Sequence, residues 1–228
     1  MAKTQKSADR RAVVEQLRRE QKRQERRRSL VVLGAAVAVG ALILGFAVWQ
    51  ALKAESSNNR ALSAIGGSPS SAGCQDVIAK PATGNQVHKP VGQKILYPDA
   101  PPADGPHWGN YLTGAEIRKF YSTDDRPPVE RLVHSLEHGH TILWYDQTIA
   151  NNSSELADVQ AIAKKFPSNT DPTDKFIAAP WTSADGKAFP GGKHIALTHW
   201  SMGGTNGNPQ GQQGVWQYCS KASGTAVE

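Results

Sequence analysis

Residues 129–145 read VERLVHSLEHGHTILWY, and this stretch decides the fold. Apolar residues recur there at helical spacing, at Leu132, Val133 and Leu136. Pro127 and Pro128 precede them and Gly139 follows, which is the proline-first, glycine-last arrangement of a helix. The β-branched and aromatic run 141–145 comes directly afterwards and predicts a buried strand. A short helix and a strand joined at a glycine are therefore expected at the centre of the domain.

The flanking sequence predicts the rest of an α+β domain. A second amphipathic helix is expected over 154–166, and two more strands over 175–179 and 194–200. The proline-rich segment 101–107 breaks both helix and ladder and predicts a loop that ends at His107. We predict one compact exported domain of mixed strands and short helices over residues 74–220, following a single N-terminal transmembrane helix.

The N-terminal region predicts a membrane anchor. Residues 1–28 carry 11 basic and 4 acidic side chains, and the 24 residues between Arg28 and Lys53 carry no charge. As a helix, such a stretch is about 36 Å long, enough to cross a bilayer core of about 30 Å. We assign a basic cytoplasmic tail to 1–29 and a lipid-embedded helix to 30–52, with the C-terminal part outside the cell membrane. A cleaved signal peptide is the alternative, although Leu52-Lys53-Ala54 offers no small-x-small cleavage site.

The remaining residues carry 15 basic and 16 acidic side chains. The folded part therefore has no excess of positive charge with which to bind a phosphate backbone, and no nucleic-acid partner is expected. Small polar residues dominate 53–73 and predict a flexible tether. Residues 221–228 are predicted to form a disordered tail. The glycine-rich stretch 203–214 predicts a mobile loop.

The two cysteines, Cys74 and Cys219, lie near the two ends of the exported part. In an oxidising compartment they predict a disulfide. A bridge that closes a loop of this length contributes about 4–5 kcal/mol in the chain-entropy model. Copper or zinc ligation by the two thiols is the alternative.

The histidines predict a metal site. His134 and His138 are four residues apart, so both imidazoles lie on one face of the helix. The proline loop carries His107 as a third ligand, while His140 is a weaker candidate. The predicted ligands are His88, His107, His134, His138 and Met202. Glu137 is predicted to orient one of these ligands by a hydrogen bond without contacting the metal. The alternative is that the helix histidines only cap its C-terminal carbonyls.

The residues around these histidines also resemble a known family. In this chain its marks read His88, Tyr97-Pro98-Asp99-Ala100-Pro101-Pro102, Gly105-Pro106-His107 and Val133-His134-Ser135-Leu136-Glu137-His138-Gly139. Over roughly residues 74–202 the chain resembles membrane-anchored actinobacterial members of domain-of-unknown-function family 3105. Gly109-Asn110-Tyr111 replaces a Cys-Gly-x-Tyr segment that many members carry, and His199 stands where alanine is common. The resemblance implies one fold, export and the histidine set, and it implies no particular chemistry.

Three functions are compatible with this pattern. Several imidazoles with a thioether favour copper, with zinc as the alternative, and suggest metal carriage or delivery to an envelope or respiratory complex. His134-x-x-Glu137-His138 also matches an inverted zincin motif, in which Glu137 would activate water in a zinc peptidase. A non-catalytic module that binds an envelope partner through Trp108, Tyr111 and Trp144 is the third. Such a zinc peptidase needs a third, usually acidic, ligand well downstream, and the only later glutamates are Glu155 and Glu228. This favours a binding protein without catalytic residues.

Overall fold

The computed structural model describes residues 2–202 and 211–228, so most of the glycine-rich loop predicted at 203–214 lies outside the described residues. The chain divides into two compact units, Met1–Ser56 and Ser57–Glu228. One helix, α1, covers Ala2–Asn59. Its segment Gln21–Gln50 is long and apolar enough to cross a membrane, and none of that segment is buried. This helix fits a single-pass anchor or a signal sequence.

The second unit is built on a five-stranded mixed sheet. Its strands are β1 (Ile78–Pro81), β4 (Thr141–Tyr145), β5 (Phe176–Pro180), β6 (Ile195–Ser201) and β7 (Gln213–Cys219). Their order in the sheet is β1-β7-β6-β4-β5, in which β4 and β5 are parallel and all other neighbours are antiparallel. Helices and a mixed sheet in one compact unit confirm the predicted α+β class.

Both faces of the sheet are covered, because alternate residues of a strand point to opposite faces. Ile142 and Trp144 of β4 belong to the core under helix α2 (Val129–Glu137). Leu143 and Tyr145 belong to the core under helix α4 (Ser153–Ala163), which follows the short helix α3 (Gln147–Ala150). Strand β4 is therefore buried along nearly its whole length, as its apolar sequence predicts.

Helix α2 ends where the sequence predicts. Gly139 has a φ of 84°, a left-handed conformation that glycine adopts without steric cost. Its N–H donates to the carbonyl of Leu136 at 2.8 Å, and the N–H of His140 donates to the carbonyl of Ser135 at 3.0 Å. These two bonds form a Schellman motif, which turns the chain from the helix directly into β4.

A second, very small sheet lies beside α2. Strands β2 (His88–Lys89) and β3 (His107–Trp108) are parallel, and His88 pairs in register with His107. The N–H of His107 donates to the carbonyl of Val87 at 3.2 Å. Because paired residues of neighbouring strands point to the same face, this short ladder places the two imidazoles side by side.

The two ends of the domain differ from the predictions. The tether predicted over 53–73 begins as the end of α1, and its second half packs on the domain, with Ile65 fully buried. The tail predicted over 221–228 forms helix α5 (Gly224–Val227), and Ser223 before it is also buried. Backbone hydrogen bonds join the two segments, and Gly224 packs where a side chain would overlap the carbonyl of Leu62. Both predictions are wrong because composition reports local hydrophobicity but not pairing between distant segments.

Cys74 and Cys219 form the predicted disulfide, at a sequence separation of 145 residues. It lies beside the contact between the two ends of the domain, where the N–H of Ser220 donates to the carbonyl of Ala72 at 2.9 Å. Since both sulfur atoms are used in the bridge, neither serves as a thiolate ligand in this state.

Candidate metal centre

The buried side of the centre is built on β3. His107 is completely buried, and its Nδ1 lies 2.9 Å from the carbonyl oxygen of Gly105. A carbonyl oxygen only accepts hydrogen bonds, so Nδ1 carries the proton and Nε2 keeps its lone pair. The residues of the proline loop therefore fix both the orientation and the tautomer of this ring.

Helix α2 supplies a second histidine held in the same way. The Nδ1 atom of His134 lies 2.6 Å from the carbonyl oxygen of Trp108, the residue after His107 on β3. His134 therefore also donates through Nδ1 and presents the lone pair of Nε2. His134 is 4% exposed, so the packing of α2 against β3 restricts its ring.

Glu137 lies one turn further along α2, and its two carboxylate oxygens have different neighbours. Oε1 accepts a hydrogen bond of 2.6 Å from the backbone N–H of Gln86. Oε2 lies 3.1 Å from Nε2 of His107 and 3.9 Å from Nε2 of His134. The bond to Gln86 aims the second oxygen at the two histidines.

Three hydrogen-bond acceptors thus face one another. Nε2 of His107 is buried and has no hydrogen-bond partner among the described residues. The ligand atoms of His88, His107, His134 and Glu137 all lie within 4.8 Å of one another, and only His88 is exposed. Acceptors that converge without a donor are stabilised by a cation between them. This His/Glu group can hold a metal ion.

Burial keeps the rings of His107 and His134 neutral at physiological pH. Burial lowers the pKa of His134 to about 4, and burial also lowers the pKa of His107 despite the nearby Glu137 carboxylate. A metal ion binds the neutral form of imidazole, so the lone pairs are available without loss of a proton.

The other predicted ligands lie elsewhere. His138 is exposed and is not a member of the group; its ring stacks on His134 with centroids 4.9 Å apart. Met202 follows β6, and its sulfur accepts a hydrogen bond of 3.5 Å from the amide of Gln212. His140 is buried, and its Nδ1 lies 3.0 Å from the carbonyl of Ser135.

The sequence assigned Glu137 a supporting role, whereas the structure places its carboxylate among the ligand atoms. Residues three and four positions after His134 lie on either side of it around a helix, by about 60° and 40°. The sequence therefore does not decide between Glu137 and His138. The packing of α2 against β3 determines that Glu137, and not His138, faces the other ligands. For His107 the local signal in the sequence is the proline loop that precedes it.

The proposed aromatic contact surface is not continuous. Trp144 is completely buried and packs edge-to-face on Trp181 within the core. Tyr111 is 45% exposed, and its ring contacts those of His134 and His138. Of the three aromatic residues considered, Tyr111 is the one that the structure places both at the surface and beside the histidines.

Comparison with known proteins gives one match. A family model described as Protein of unknown function (DUF3105) matches residues 88–213, more than half of the chain. The matched segment begins at His88 and contains all four clustered residues, while α1 and both cysteines lie outside it. No curated protein and no solved structure matches the chain. The chain therefore belongs to the family of proteins of unknown function DUF3105.

Proposed function

We propose that this protein is a membrane-anchored carrier of one divalent transition-metal ion, copper(II) in preference to zinc. Its ligands are His88, His107, His134 and Glu137. The convergence of acceptor atoms on a buried point carries the proposal: Nε2 of His107, which has no hydrogen-bond partner among the described residues, lies 3.1 Å from Oε2 of Glu137. The tautomers of His107 and His134 also support the proposal, because both rings carry their proton on Nδ1 and leave the lone pair of Nε2 for a metal ion.

The ligand types favour a borderline divalent ion. Three imidazole nitrogens and one carboxylate oxygen suit copper(II) and zinc, and copper(II) stands above zinc in the affinity order. With bonds of about 2.0–2.1 Å, neighbouring ligand atoms are about 2.9 Å apart in a square-planar copper(II) site and about 3.3 Å apart in a tetrahedral zinc site. The separations of 3.1 and 3.9 Å from Glu137 Oε2 to the two buried histidines are compatible with either ion after a small adjustment of the side chains. Both cysteines are in the disulfide, so the group offers no thiolate for copper(I).

The exposure of His88 favours a site that carries and releases its ion over a site that holds a permanent structural ion. The two inner histidines and Glu137 are held by backbone groups, whereas His88 lies at the surface on a strand of two residues. A centre with a fixed inner half and an exposed outer ligand can load and release its ion without unfolding. We propose delivery to an envelope or respiratory protein complex, from a domain held at the outer face of the cell membrane. The basic residues before the apolar segment support this orientation.

The zinc peptidase has less support. In that mechanism His134 and His138 both bind zinc and Glu137 activates water. Here His138 is outside the ligand group, and both oxygens of Glu137 have neighbours, the Gln86 N–H and the ring of His107. A carboxylate held in this way acts as a ligand rather than as a general base.

The test uses the full chain, purified in detergent without added metal. Copper(II) and zinc affinities are measured by competition with a chelator of known affinity. We expect His107→Ala and His134→Ala to weaken copper(II) binding by at least about 100-fold. His194→Ala is the matched control, because His194 is a half-buried histidine paired with Asp146 and does not belong to the group.

Two results would overturn the proposal. The first is that the wild-type chain binds neither ion more tightly than about micromolar, which corresponds to about 8 kcal/mol. The second is that the variants of His107 and His134 bind as tightly as the His194 variant. A preference for zinc over copper(II) would overturn the assignment of the metal. For topology, a reporter that is active only outside the membrane should give a signal when fused after residue 228 and none at the N-terminus.

A further inference from the structure

His138 is an exposed imidazole next to the metal centre. Its ring stacks on that of His134 with centroids 4.9 Å apart and planes inclined by 21°. Tyr111 contacts it on another side, with centroids 4.5 Å apart. No hydrogen bond ties either ring nitrogen of His138 to another of the described residues. The ring is held in place by stacking while its nitrogens are free to bind.

The imidazoles form a series of increasing burial. His138 is exposed, His134 is 4% exposed and His107 is completely buried. The ring centroids of His134 and His107 are 4.4 Å apart, similar to the first step of 4.9 Å. Successive rings therefore lie within about 5 Å of each other, so an ion released by one imidazole is close to the next.

We propose that His138 is an outer station for the same metal ion, a transient ligand through which the ion enters and leaves the inner group. This inference rests on the proposed function. The aqua ion first exchanges one water molecule for a nitrogen of His138. It then bonds to Nε2 of His134, and the bond to His138 breaks. The oxidation state of the ion does not change, and each new metal–nitrogen bond replaces a bond to water or to the previous ring.

A transient ligand changes the rates at which the ion binds and leaves, but it does not change the dissociation constant. His138 is bound to the ion neither at the start nor at the end, so its loss leaves the free-energy difference between free and loaded protein unchanged. Loss of the station raises the same barrier in both directions. His88 differs, because it is exposed but is one of the four proposed ligands, so its loss weakens binding itself.

The experiment follows copper(II) binding to the full chain in detergent by stopped-flow tryptophan fluorescence. The ring of Trp200 lies 6.0 Å from that of His107, which gives a reporter beside the inner site. Association is measured after mixing with copper(II), and release after mixing loaded protein with excess chelator. We expect His138→Ala to slow both rates by the same factor, about tenfold or more, with no change in Kd. His194→Ala is again the control, and Tyr111→Phe, which keeps the ring contact, should leave both rates unchanged.

The outcomes separate this inference from the proposed function. If His138→Ala raises Kd as much as His134→Ala does, His138 is an inner ligand and the station is refuted. If neither rate changes, the ion enters by another route and the station is also refuted. In both cases the metal site itself stands. Absence of copper(II) binding by the wild-type chain refutes the proposed function instead.

Discussion

Glu137→Gln should stabilise the metal-free protein while weakening its hold on metal. In the wild-type protein the lone pair of His107 Nε2 faces the Oε2 atom of Glu137 at 3.1 Å, and burial lowers the pKa of His107, so this nitrogen offers no proton to the carboxylate at neutral pH. Glutamine has an oxygen that can keep the hydrogen bond from Gln86 N–H, and an amide N–H that can donate to His107. The substitution converts a repulsive contact into a hydrogen bond.

The expected size follows from one new hydrogen bond at a buried acceptor. Such a bond contributes about 1 kcal/mol net. For a domain of this size that raises Tm by about 2–4 °C. Addition of copper(II) at 100 times Kd should stabilise the wild-type chain by about 2.7 kcal/mol. The variant loses a charged ligand, so the same copper(II) concentration should raise its Tm by less.

The assay is thermal unfolding followed by near-ultraviolet circular dichroism, first with a chelator and then with copper(II). Glu130→Gln is the matched control, since Glu130 on the same helix also accepts a backbone hydrogen bond, from Ile95, but is not in the ligand group. In a His107→Ala background the gain should disappear, because the acceptor is gone. A metal-free Glu137→Gln protein with a lower Tm than wild type would refute the reasoning.

Three further predictions concern stability. Burial lowers the pKa of His140 to about 4, so only the unfolded chain binds a proton there between about pH 6.5 and 4; this histidine alone should lower metal-free stability by about 3 kcal/mol as the pH drops through the range, and urea titrations should show a total fall smaller by about that amount for His140→Gln. Gly214→Ala should cost about 1–3 kcal/mol by the same measurement, because a Cβ atom there would overlap the carboxylate of Asp104; an unchanged midpoint would contradict that packing. Reduction of the Cys74–Cys219 bridge should cost up to about 4–5 kcal/mol, and equal Tm values with and without reductant would show that the bridge does not limit stability.

Local signals predicted the elements around the centre. The prolines before Val129 and the glycine at 139 are close to the ends of α2, and the apolar run after them is β4. These features could be read from the sequence because capping and strand preference depend on residues within a few positions. The strands near 175–179 and 194–200 are present with nearly the predicted bounds.

Apart from the disulfide, features that depend on distant pairing were not predicted. Strand β7 alternates buried Gly214, Trp216 and Tyr218 with less buried residues, a period-two signal hidden by the preceding glycine-rich stretch. The pairing of His88 with His107 joins two strands of two residues each, which no periodicity can report. The sequence therefore indicated candidate ligands, and tertiary packing separates His88, His107 and His134 from His138 and Met202 and brings Glu137 to them.

The disulfide keeps the two fragments together when a protease cuts the domain once. Cys74 and Cys219 close a covalent ring, and all four clustered residues lie within it. A protease that cuts the ring once, for example between His107 and His134, leaves both fragments joined through the bridge. The two halves of the candidate metal centre then stay covalently linked to each other. Their separation requires a second cut between a cysteine and the clustered residues, or a reductant acting together with the first cut.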